Sequence, residues 1–341
     1  MSLRVGFLGV GRIGAAHAEV VARHPAVSEL VVGDADTARA REVADRLGVV
    51  SAGGIDDVLA AGVDALMIAA TTSAHPGLIL RGCEAGIPVF CEKPVAPDVA
   101  ATIAVAERVR ETGIQVQVGF QRRFDAGYAA ARAALASGEL GELRRAHLLT
   151  ADREPPPAGY VAGSGGIFRD CHVHDFDALR WVTGREIVEV YATGANRGAA
   201  FFGAAGDVDE STALLTLDDG TLATLQGSRY NGAGYDVRLE LAGTEATLAV
   251  GLDERTALRS TEPGAAFPAG KPWPGFRERF GAAYEAELSA FLEVAAGTRP
   301  SPCTVDEALE ALYVAEAAEL SRREHRPATV DEVRVTRICE A

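Results

Sequence analysis

Residues 3–14 read Leu-Arg-Val-Gly-Phe-Leu-Gly-Val-Gly-Arg-Ile-Gly, an apolar run followed by three glycines in the spacing G-x-G-x-x-G. In such a loop Gly9 allows a tight turn, Gly11 lets a pyrophosphate approach the backbone, and Gly14 lets a helix pack on the sheet. The helix that starts at Arg12-Ile13 offers free N–H groups and the positive end of its dipole to phosphates. The stretch therefore predicts a strand, a turn and a helix that bind a dinucleotide. The alternative is a βα turn with a purely structural role.

An acidic residue stands where such a unit holds the ribose. Asp34 lies about 20 residues beyond the last glycine, directly after an apolar run, at the spacing of a carboxylate that binds the ribose 2′-hydroxyl. Because a carboxylate repels a 2′-phosphate, Asp34 favours NAD over NADP. Arg39 and Arg41 are compatible with a phosphate, but we interpret them as a solvated helix face.

The composition is that of an ordinary globular protein. The 341 residues are 48% apolar and 24% charged, and 48 acidic against 33 basic residues leave a net charge of −15. So acidic a surface disfavours nucleic acid and anionic lipid as partners. The five cysteines are scattered without a C-x-x-C pair, which argues against a disulfide framework or a zinc site. With no apolar run of about 18 residues and no signal-peptide pattern, we expect a cytoplasmic protein.

The alternation of strand and helix patterns indicates the fold class. Up to residue 118, short apolar strands alternate with helical stretches, as in a doubly wound parallel sheet. Beyond residue 120, consecutive strands joined by turns such as Asp218-Asp219-Gly220 predict a mostly antiparallel sheet. We predict an α/β protein with a dinucleotide-binding domain at 1–120 and an α+β domain with a large open sheet at 121–341. The C-terminal helix is free to pack back on the first domain.

Two loops at the carboxyl edge of the first sheet are candidates for the ligand side. The loop 71–76, with Thr71, Ser73 and His75, either lines the nicotinamide side of a cofactor or caps a helix. The motif Glu92-Lys93-Pro94 follows a buried strand, so its lysine points toward the ligand cleft. The alternative for this motif is a charged pair in a solvated turn.

The segment 167–183 predicts a helix with two faces. At about 100° per residue, Asp170, His174 and Asp177 share one face, and His172 lies on the opposite apolar stripe. An imidazole beside a carboxylate is the usual construction of a general base near neutral pH. We interpret His172 as a hydrogen-bonded core residue and His174 as either the base or a solvent-exposed side chain. We expect no metal, because helical residues two apart point about 200° away from each other.

Four motifs occur in a fixed order: the glycine loop, Glu92-Lys93-Pro94, the stretch 119–125 (GFQRRFD) and Asp170-x-x-x-His174-Asp175. Together they resemble the Gfo/Idh/MocA oxidoreductases, and within them the inositol 2-dehydrogenase branch, over nearly the whole chain. The resemblance implies an N-terminal Rossmann domain with NAD and a second domain whose sheet is often used for oligomer contacts. It also implies a homodimer or homotetramer.

The resemblance further implies roles for individual residues. Lys93 is expected to hydrogen-bond the substrate hydroxyl, His174 to act as general base, and Asp170 to orient the substrate or the histidine. The residues expected at the cofactor are Gly9, Gly11, Arg12, Ile13, Gly14, Asp34, Thr71, Ser73, His75, Glu92 and Lys93. Those expected at the polyol are Gln121, Arg122, Asp152, Asp177 and Tyr235.

The chain also departs from the family pattern near this pocket. Asp152-Arg153-Glu154 stands where inositol dehydrogenases often have His-Arg-Asn, and Gln121 stands where an apolar residue is frequent. The implied reaction is therefore oxidation of a secondary hydroxyl of a cyclic polyol or sugar, with the identity of the polyol left open. Two alternatives remain: a glycosidase that recycles bound NAD, and a non-catalytic NAD-binding regulator. The regulator needs none of the set Lys93, Asp170 and His174.

Overall fold

The computed structural model describes residues 2–265 and 270–340, without the side chains of Ala52 and of residues 336–340. The chain divides into two compact units. The first comprises residues 1–121 and 282–309, and the second comprises residues 122–281 and 310–341. Cys83 and Cys91 are buried free thiols, and the side chain of the fifth cysteine, Cys339, lies outside the described residues.

The first unit is built on a parallel sheet of six strands in the order β3-β2-β1-β4-β5-β6. The strands are β1 (Leu3–Leu8), β2 (Val27–Gly33), β3 (Val50–Gly53), β4 (Ala65–Ile68), β5 (Val89–Glu92) and β6 (Val116–Gly119). The helices are α1 (Arg12–Ala22), α2 (Thr37–Leu47), α3 (Ile55–Ala60), α4 (His75–Ala85) and α5 (Val99–Thr112). The strand order reverses beside β1, and ligands of such sheets bind at the carboxyl ends of the strands at this reversal. The glycine loop follows β1 directly.

The second unit carries a sheet of seven strands in the order β12-β11-β7-β10-β9-β8-β13. Its elements are α6 (Ala126–Ala136), β7 (Leu143–Ala151), α7 (Ala158–Val161), a π-helical turn (Phe168–His172), α8 (Val173–Thr183), β8 (Ile187–Ala195), α9 (Phe201–Ala204), β9 (Glu210–Leu217), β10 (Leu222–Ser228), β11 (Asp236–Gly243), β12 (Thr247–Val250), β13 (Ala328–Thr329) and α12 (Val330–Glu340). Two further helices, α10 (Phe276–Ala295) and α11 (Val305–Glu324), each have residues in both units. Every neighbouring pair is antiparallel except β7 with β10. The predicted fold class, a doubly wound parallel sheet followed by a mostly antiparallel one, is confirmed.

One face of the second sheet is covered and the other is open. Along β9 the side chains of Ala213, Leu215 and Leu217 are buried, whereas those of Thr212 and Leu214, which alternate with them, are exposed. This period of two is that of a sheet with one face on a core and one face toward solvent.

The core of the first unit receives side chains from late in the chain. Leu288, Phe291 and Leu292 of α10 pack with Phe7 and Phe90 of the parallel sheet. The helix α10 is kinked near its start, at a residue with φ −111° and ψ 15°. The segment 282–309 thus completes the hydrophobic core of the first unit.

Candidate active site

The turn after β1 has the geometry that a dinucleotide requires. Gly9 has a φ of +90°, and a Cβ on it would lie 2.5 Å from the backbone of Ala70. A Cβ on Gly14 would lie 1.8 Å from the carbonyl oxygen of Gly9, so only glycine allows this helix to pack so closely. A Cβ on Gly11 would meet nothing within 4 Å. Since α1 begins without a side-chain cap, its first N–H groups are available to a phosphate, and the loop fits NAD.

Asp34, just beyond the end of β2, is a buried carboxylate surrounded by donors. Its Oδ2 accepts from the backbone N–H of Val10 at 2.8 Å, and its Oδ1 accepts from that of Asp36 at 2.9 Å. Arg39 adds two bonds, from Nε to Oδ2 at 3.2 Å and from Nη2 to Oδ1 at 2.7 Å. Burial alone raises the pKa of Asp34, but the hydrogen bonds outweigh it and leave the pKa below its usual value. Arg39 lies on an exposed helix face, as interpreted, and its guanidinium is in addition paired with Asp34.

Glu92 of the Glu-Lys-Pro motif is held by a histidine that sequence reasoning missed. His17 of α1 is buried, with its Nε2 2.6 Å from Glu92 Oε1. The His17 ring lies against Phe90 and Tyr284. The side chain of Glu92 is only 13% exposed, so the alternative of a solvated turn is wrong for this residue. Glu92, the residue directly before Lys93, is therefore held in place by His17.

The loop after β4 is tied to the loop after β5 by His75. Its Nδ1 lies 2.7 Å from the carbonyl oxygen of Pro94, and its Nε2 lies 3.1 Å from that of Ala70. Both ring nitrogens are thus committed to the backbone, and His75 shapes the loop that presents Thr71 and Ser73. Neither helical segment that starts here has a side-chain cap, so the alternative of a helix cap is wrong.

The segment that carries Asp170 and His174 differs from the predicted continuous α-helix. Phe168–His172 form a π-helical turn, and α8 begins only at Val173. A π turn holds more residues than an α turn and changes the angular relation across it, so the expected common face is not kept. Asp177, expected on the polar face, is fully buried. Periodicity alone gives no sign of such a turn.

The start of α8 is fixed by a buried polar network. Arg122 donates from Nη1 to Asp175 and from Nη2 to Thr150 Oγ1 at 2.9 Å, and Thr150 donates to Asp175 at 2.9 Å. His172 Nδ1 lies 2.8 Å from Asp175 Oδ2, and its Nε2 lies 2.8 Å from Ser211 Oγ. The prediction that His172 is a hydrogen-bonded core residue is confirmed.

The same network includes serine, histidine and aspartate in the relation of a nucleophilic triad. Ser211, His172 and Asp175 are all buried, however, so no substrate reaches the hydroxyl. Burial raises the pKa of Asp175, and the charge of Arg122 together with the hydrogen bonds from His172 and Arg122 more than reverses this, lowering it to about 2. The carboxylate of Asp175 is thus ionised, and the guanidinium of Arg122 compensates its charge.

A second arginine pairs with the next aspartate of α8. Arg123 donates from Nε to Asp177 Oδ2 at 3.0 Å and from Nη2 to Oδ1 at 2.6 Å, and both side chains are buried. Asp177 and Arg122 were expected at the polyol, and the structure gives each of them an internal partner of opposite charge. Their substrate contacts stay predictions.

Arg229, another residue that sequence reasoning missed, joins two predicted site residues. Its guanidinium donates to Asp152 Oδ2 at 3.0 Å and to Asp170 Oδ2 at 2.9 Å. The hydroxyl of Tyr160 donates to Asp170 Oδ1 at 2.8 Å. Burial raises the pKa of Asp152 despite the nearby arginine. Arg229 therefore brings two carboxylates together that lie far apart in sequence, and Asp170 is held at both oxygens.

The remaining predicted residues divide between the two units. Gln121 is buried at the end of the first unit. Tyr235 is buried in the second unit, where its backbone bridges to Trp273 and burial raises the pKa of its hydroxyl. Among the side chains that the structure describes, up to residue 335, no three of His, Cys, Asp or Glu cluster as a metal would require. No helix in this part of the chain is long and apolar enough to cross a bilayer.

Comparison with known proteins identifies the class that this fold and site define. Residues 3–120 match the model of an oxidoreductase family with an NAD-binding Rossmann fold, and residues 128–249 match the GFO/IDH/MocA C-terminal domain. The chain belongs to the Gfo/Idh/MocA family of oxidoreductases. The expected family, its NAD cofactor and the dehydrogenase class are thereby confirmed.

Individual relatives cover almost the whole chain. It is 39% identical over 325 residues to the myo-inositol dehydrogenase Hyg17 of Streptomyces leeuwenhoekii, covering 94% of this chain and 97% of that protein. It is 35% identical to the scyllo-inositol 2-dehydrogenase (NAD+) of Bacillus subtilis, with 96% of each chain covered. Its fold is similar to that of Lactobacillus casei scyllo-inositol dehydrogenase solved with NAD(H) and scyllo-inositol, with a TM-score of 0.85, 27% identity, and 97% and 100% of the two chains covered.

Proposed function

We propose that this oxidoreductase oxidises a secondary hydroxyl of a cyclic polyol of the inositol class to the ketone. The main support for the proposal is the sequence similarity of this chain to enzymes named for myo-inositol and scyllo-inositol. The chain is 39% and 35% identical to them over nearly its full length. The chain also carries Lys93, Asp170 and His174, the set that such a reaction needs: a cation, an orienting acid and a base.

The proposed roles follow from the chemistry of these side chains. His174 accepts the proton of the substrate hydroxyl, because imidazole is the side chain best matched to proton transfer near neutral pH. Lys93 donates a hydrogen bond to the same oxygen and stabilises the negative charge that develops there. NAD, held by the glycine loop and Asp34, supplies the hydride acceptor when bound.

Asp170 acts as an orienting group in this proposal. Its two oxygens are held by Arg229 and by Tyr160, so its carboxylate has one orientation. We propose that Gln121, Asp152 and Tyr235 contact the polyol. Arg122 and Asp177 position the helix that bears the base, since each has its charge satisfied within the second unit.

The test is NADH formation with a panel of inositols, aldoses and sugar acids, first with NAD and then with NADP. We expect NAD-dependent turnover of an inositol, and we expect His174→Ala to lower kcat by at least about 100-fold with an unchanged Kd for NAD. The matched control is His325→Asn, which changes an exposed histidine of the same unit. A near-normal rate for His174→Ala would refute its role as the base.

Other outcomes distinguish the alternatives. Release of sugar from a glycoside without net NADH would establish the NAD-recycling glycosidase instead. Tight NAD binding without turnover of any polyol or glycoside would establish the regulator. We further propose that the enzyme works in the cytoplasm, a reducing compartment that suits its scattered cysteines without a C-x-x-C pair.

We also propose that two copies associate through the open face of the second sheet, in a homodimer or a homotetramer. Pairing across the strands places Tyr191 beside Leu214, Leu214 beside Thr224, Thr224 beside His147, and His147 beside Glu240. Leu214 is 55% exposed and Tyr191 is 40% exposed. This row of side chains begins with apolar residues and ends with a charged one. In a dimer with twofold symmetry the same surface patch of each copy forms the interface, so this row can pack against the same row of a second copy.

Light scattering after size exclusion tests the association. Leu214→Arg places a charge in the middle of this face, and we expect it to halve the mass of the assembly, from dimer to monomer or from tetramer to dimer. Leu258→Arg, at an exposed leucine outside the strands, is the matched control and should keep the wild-type mass. A Leu214→Arg protein with the wild-type mass would exclude this face as the interface.

A further inference from the structure

The hydrogen bonds around Asp34 leave no acceptor site for a ribose hydroxyl. A carboxylate offers about four lone-pair positions. Oδ1 accepts from Asp36 N and Arg39 Nη2, and Oδ2 accepts from Val10 N and Arg39 Nε. A hydroxyl that donates to Asp34 must therefore replace one of these four donors.

The four donors to Asp34 differ in mobility, and this difference indicates which of them a ribose hydroxyl would replace. Two of the donors are backbone N–H groups. That of Val10 lies in the glycine loop after β1, and that of Asp36 lies at the start of α2. The guanidinium of Arg39 is on a flexible stem, and its side chain is 46% exposed. Replacing its bonds requires only a rotation of the side chain toward solvent.

Arg39 stands at a place where the helix itself gains nothing from a cation. Asp36 caps α2 by accepting from the N–H groups of Ala38 and Arg39. Arg39 thus lies in the first turn, at the positive end of the helix dipole, where basic side chains are unfavourable. Its bonds to Asp34 offset this disadvantage and keep a guanidinium beside the ribose position.

We propose that Arg39 is a second specificity residue of the cofactor site, which competes with the ribose hydroxyl of NAD for Asp34 and provides the cation for a 2′-phosphate. Asp34 excludes NADP by charge, and Arg39 weakens that exclusion while it reduces the affinity for NAD. The two side chains therefore act on the two cofactors in opposite directions. The inference concerns the cofactor alone and stands whichever polyol is oxidised.

Calorimetric titration of the full-length enzyme with NAD and with NADP, without substrate, tests the proposal. For Arg39→Ala we expect the Kd of NAD to fall about two- to fivefold, the range of a half-exposed ion pair, and the Kd of NADP to rise. Arg41→Ala removes the same charge from an exposed position of the same helix and should leave both constants close to wild type. General damage to the fold would weaken both cofactors together.

A double-mutant cycle separates the two residues. Asp34→Ser releases Arg39, and we expect the Kd of NADP to fall at least about tenfold, as a charge-assisted contact allows. In Asp34→Ser/Arg39→Ala the gain should be clearly smaller, because the contact from Arg39 is lost and only the relief from the charge of Asp34 remains. The proposal is overturned by an Arg39→Ala enzyme that binds NAD as weakly as or more weakly than the wild type. It is equally overturned if the double variant keeps the full gain for NADP.

Discussion

Replacing Asp175 by asparagine should strongly destabilise the second unit, with a dependence on pH that the buried network dictates. The change removes the charge that neutralises Arg122, whose side chain is only 3% exposed. Breaking one side of a buried ion pair costs about 3–5 kcal/mol, because the remaining charge stays buried without its partner. We therefore expect the free energy of unfolding to fall by about that amount near pH 7.

The sign of the pH dependence follows from the pKa of Asp175. That pKa is about 2 in the folded protein, against 3.8 for the free side chain. The ionised carboxylate thus stabilises the fold above about pH 4, and the stabilisation is lost as the pH falls toward about 2. It is worth about 2 kcal/mol in full, of which about 1 kcal/mol is lost at pH 3. The difference between the wild type and Asp175→Asn should shrink by this amount between pH 6 and pH 3.

Urea unfolding followed by tryptophan fluorescence is the suitable assay, since Trp181 and Trp273 both belong to the second unit. Glu139→Gln, at an exposed carboxylate of the same unit, is the control and should change stability by less than about 0.5 kcal/mol. The double variant Arg122→Met/Asp175→Leu should recover much of the loss, because an apolar pair avoids the buried lone charge. Equal midpoints for the wild type and Asp175→Asn at pH 7 would refute this reasoning.

Three further predictions concern close contacts and the arginine cluster. Gly14→Ala forces a Cβ to 1.8 Å from Gly9 O, so titration should show NAD binding weakened at least about tenfold, with the tryptophan-reported midpoint unchanged. Gly227→Ala brings a Cβ to 2.2 Å from His172 Nε2 and should cost about 1–3 kcal/mol in urea unfolding. Arg229→Ala removes the cation that lowers the pKa of Asp152, so this pKa should rise further. The acid limb of the pH–rate profile should move to higher pH, and Arg229→Lys should restore it in part.

The first unit was predictable because local signals and tertiary structure agree there. Its strands β1, β2, β4, β5 and β6 are apolar runs, and the glycine loop lies where the strand order reverses. The strand β3 and the helix α3 give weaker signals, since Val50–Gly53 holds no apolar run and the helix has only six residues. An edge strand of four mostly small residues is too short to show a detectable hydrophobic periodicity.

The partners of the site residues were not predictable in the same way. His17 reaches Glu92 across 75 positions, and Arg229 reaches Asp152 across 77. Such pairs form only when the fold brings distant segments of the chain together, so no local sequence pattern predicts them. One signal was available for Arg229: a basic residue at the end of a strand, next to turn residues, is a candidate for a site at that sheet edge. The π turn before α8 gives no such signal. The assignment of helix faces used a rotation of about 100° per residue, which holds only for an unbroken α-helix.

The two buried arginine–aspartate pairs explain how the helix bearing His174 is held. Arg122 and Arg123 are neighbours in one short 3-10 turn, and their partners Asp175 and Asp177 lie two positions apart on α8. Buried ion pairs add little net stability, since desolvation cancels much of the attraction. Their effect is on orientation: a slip of α8 by one residue would bury four charges without partners. The pairs therefore fix the rotation of the helix about its axis, and with it the direction of His174.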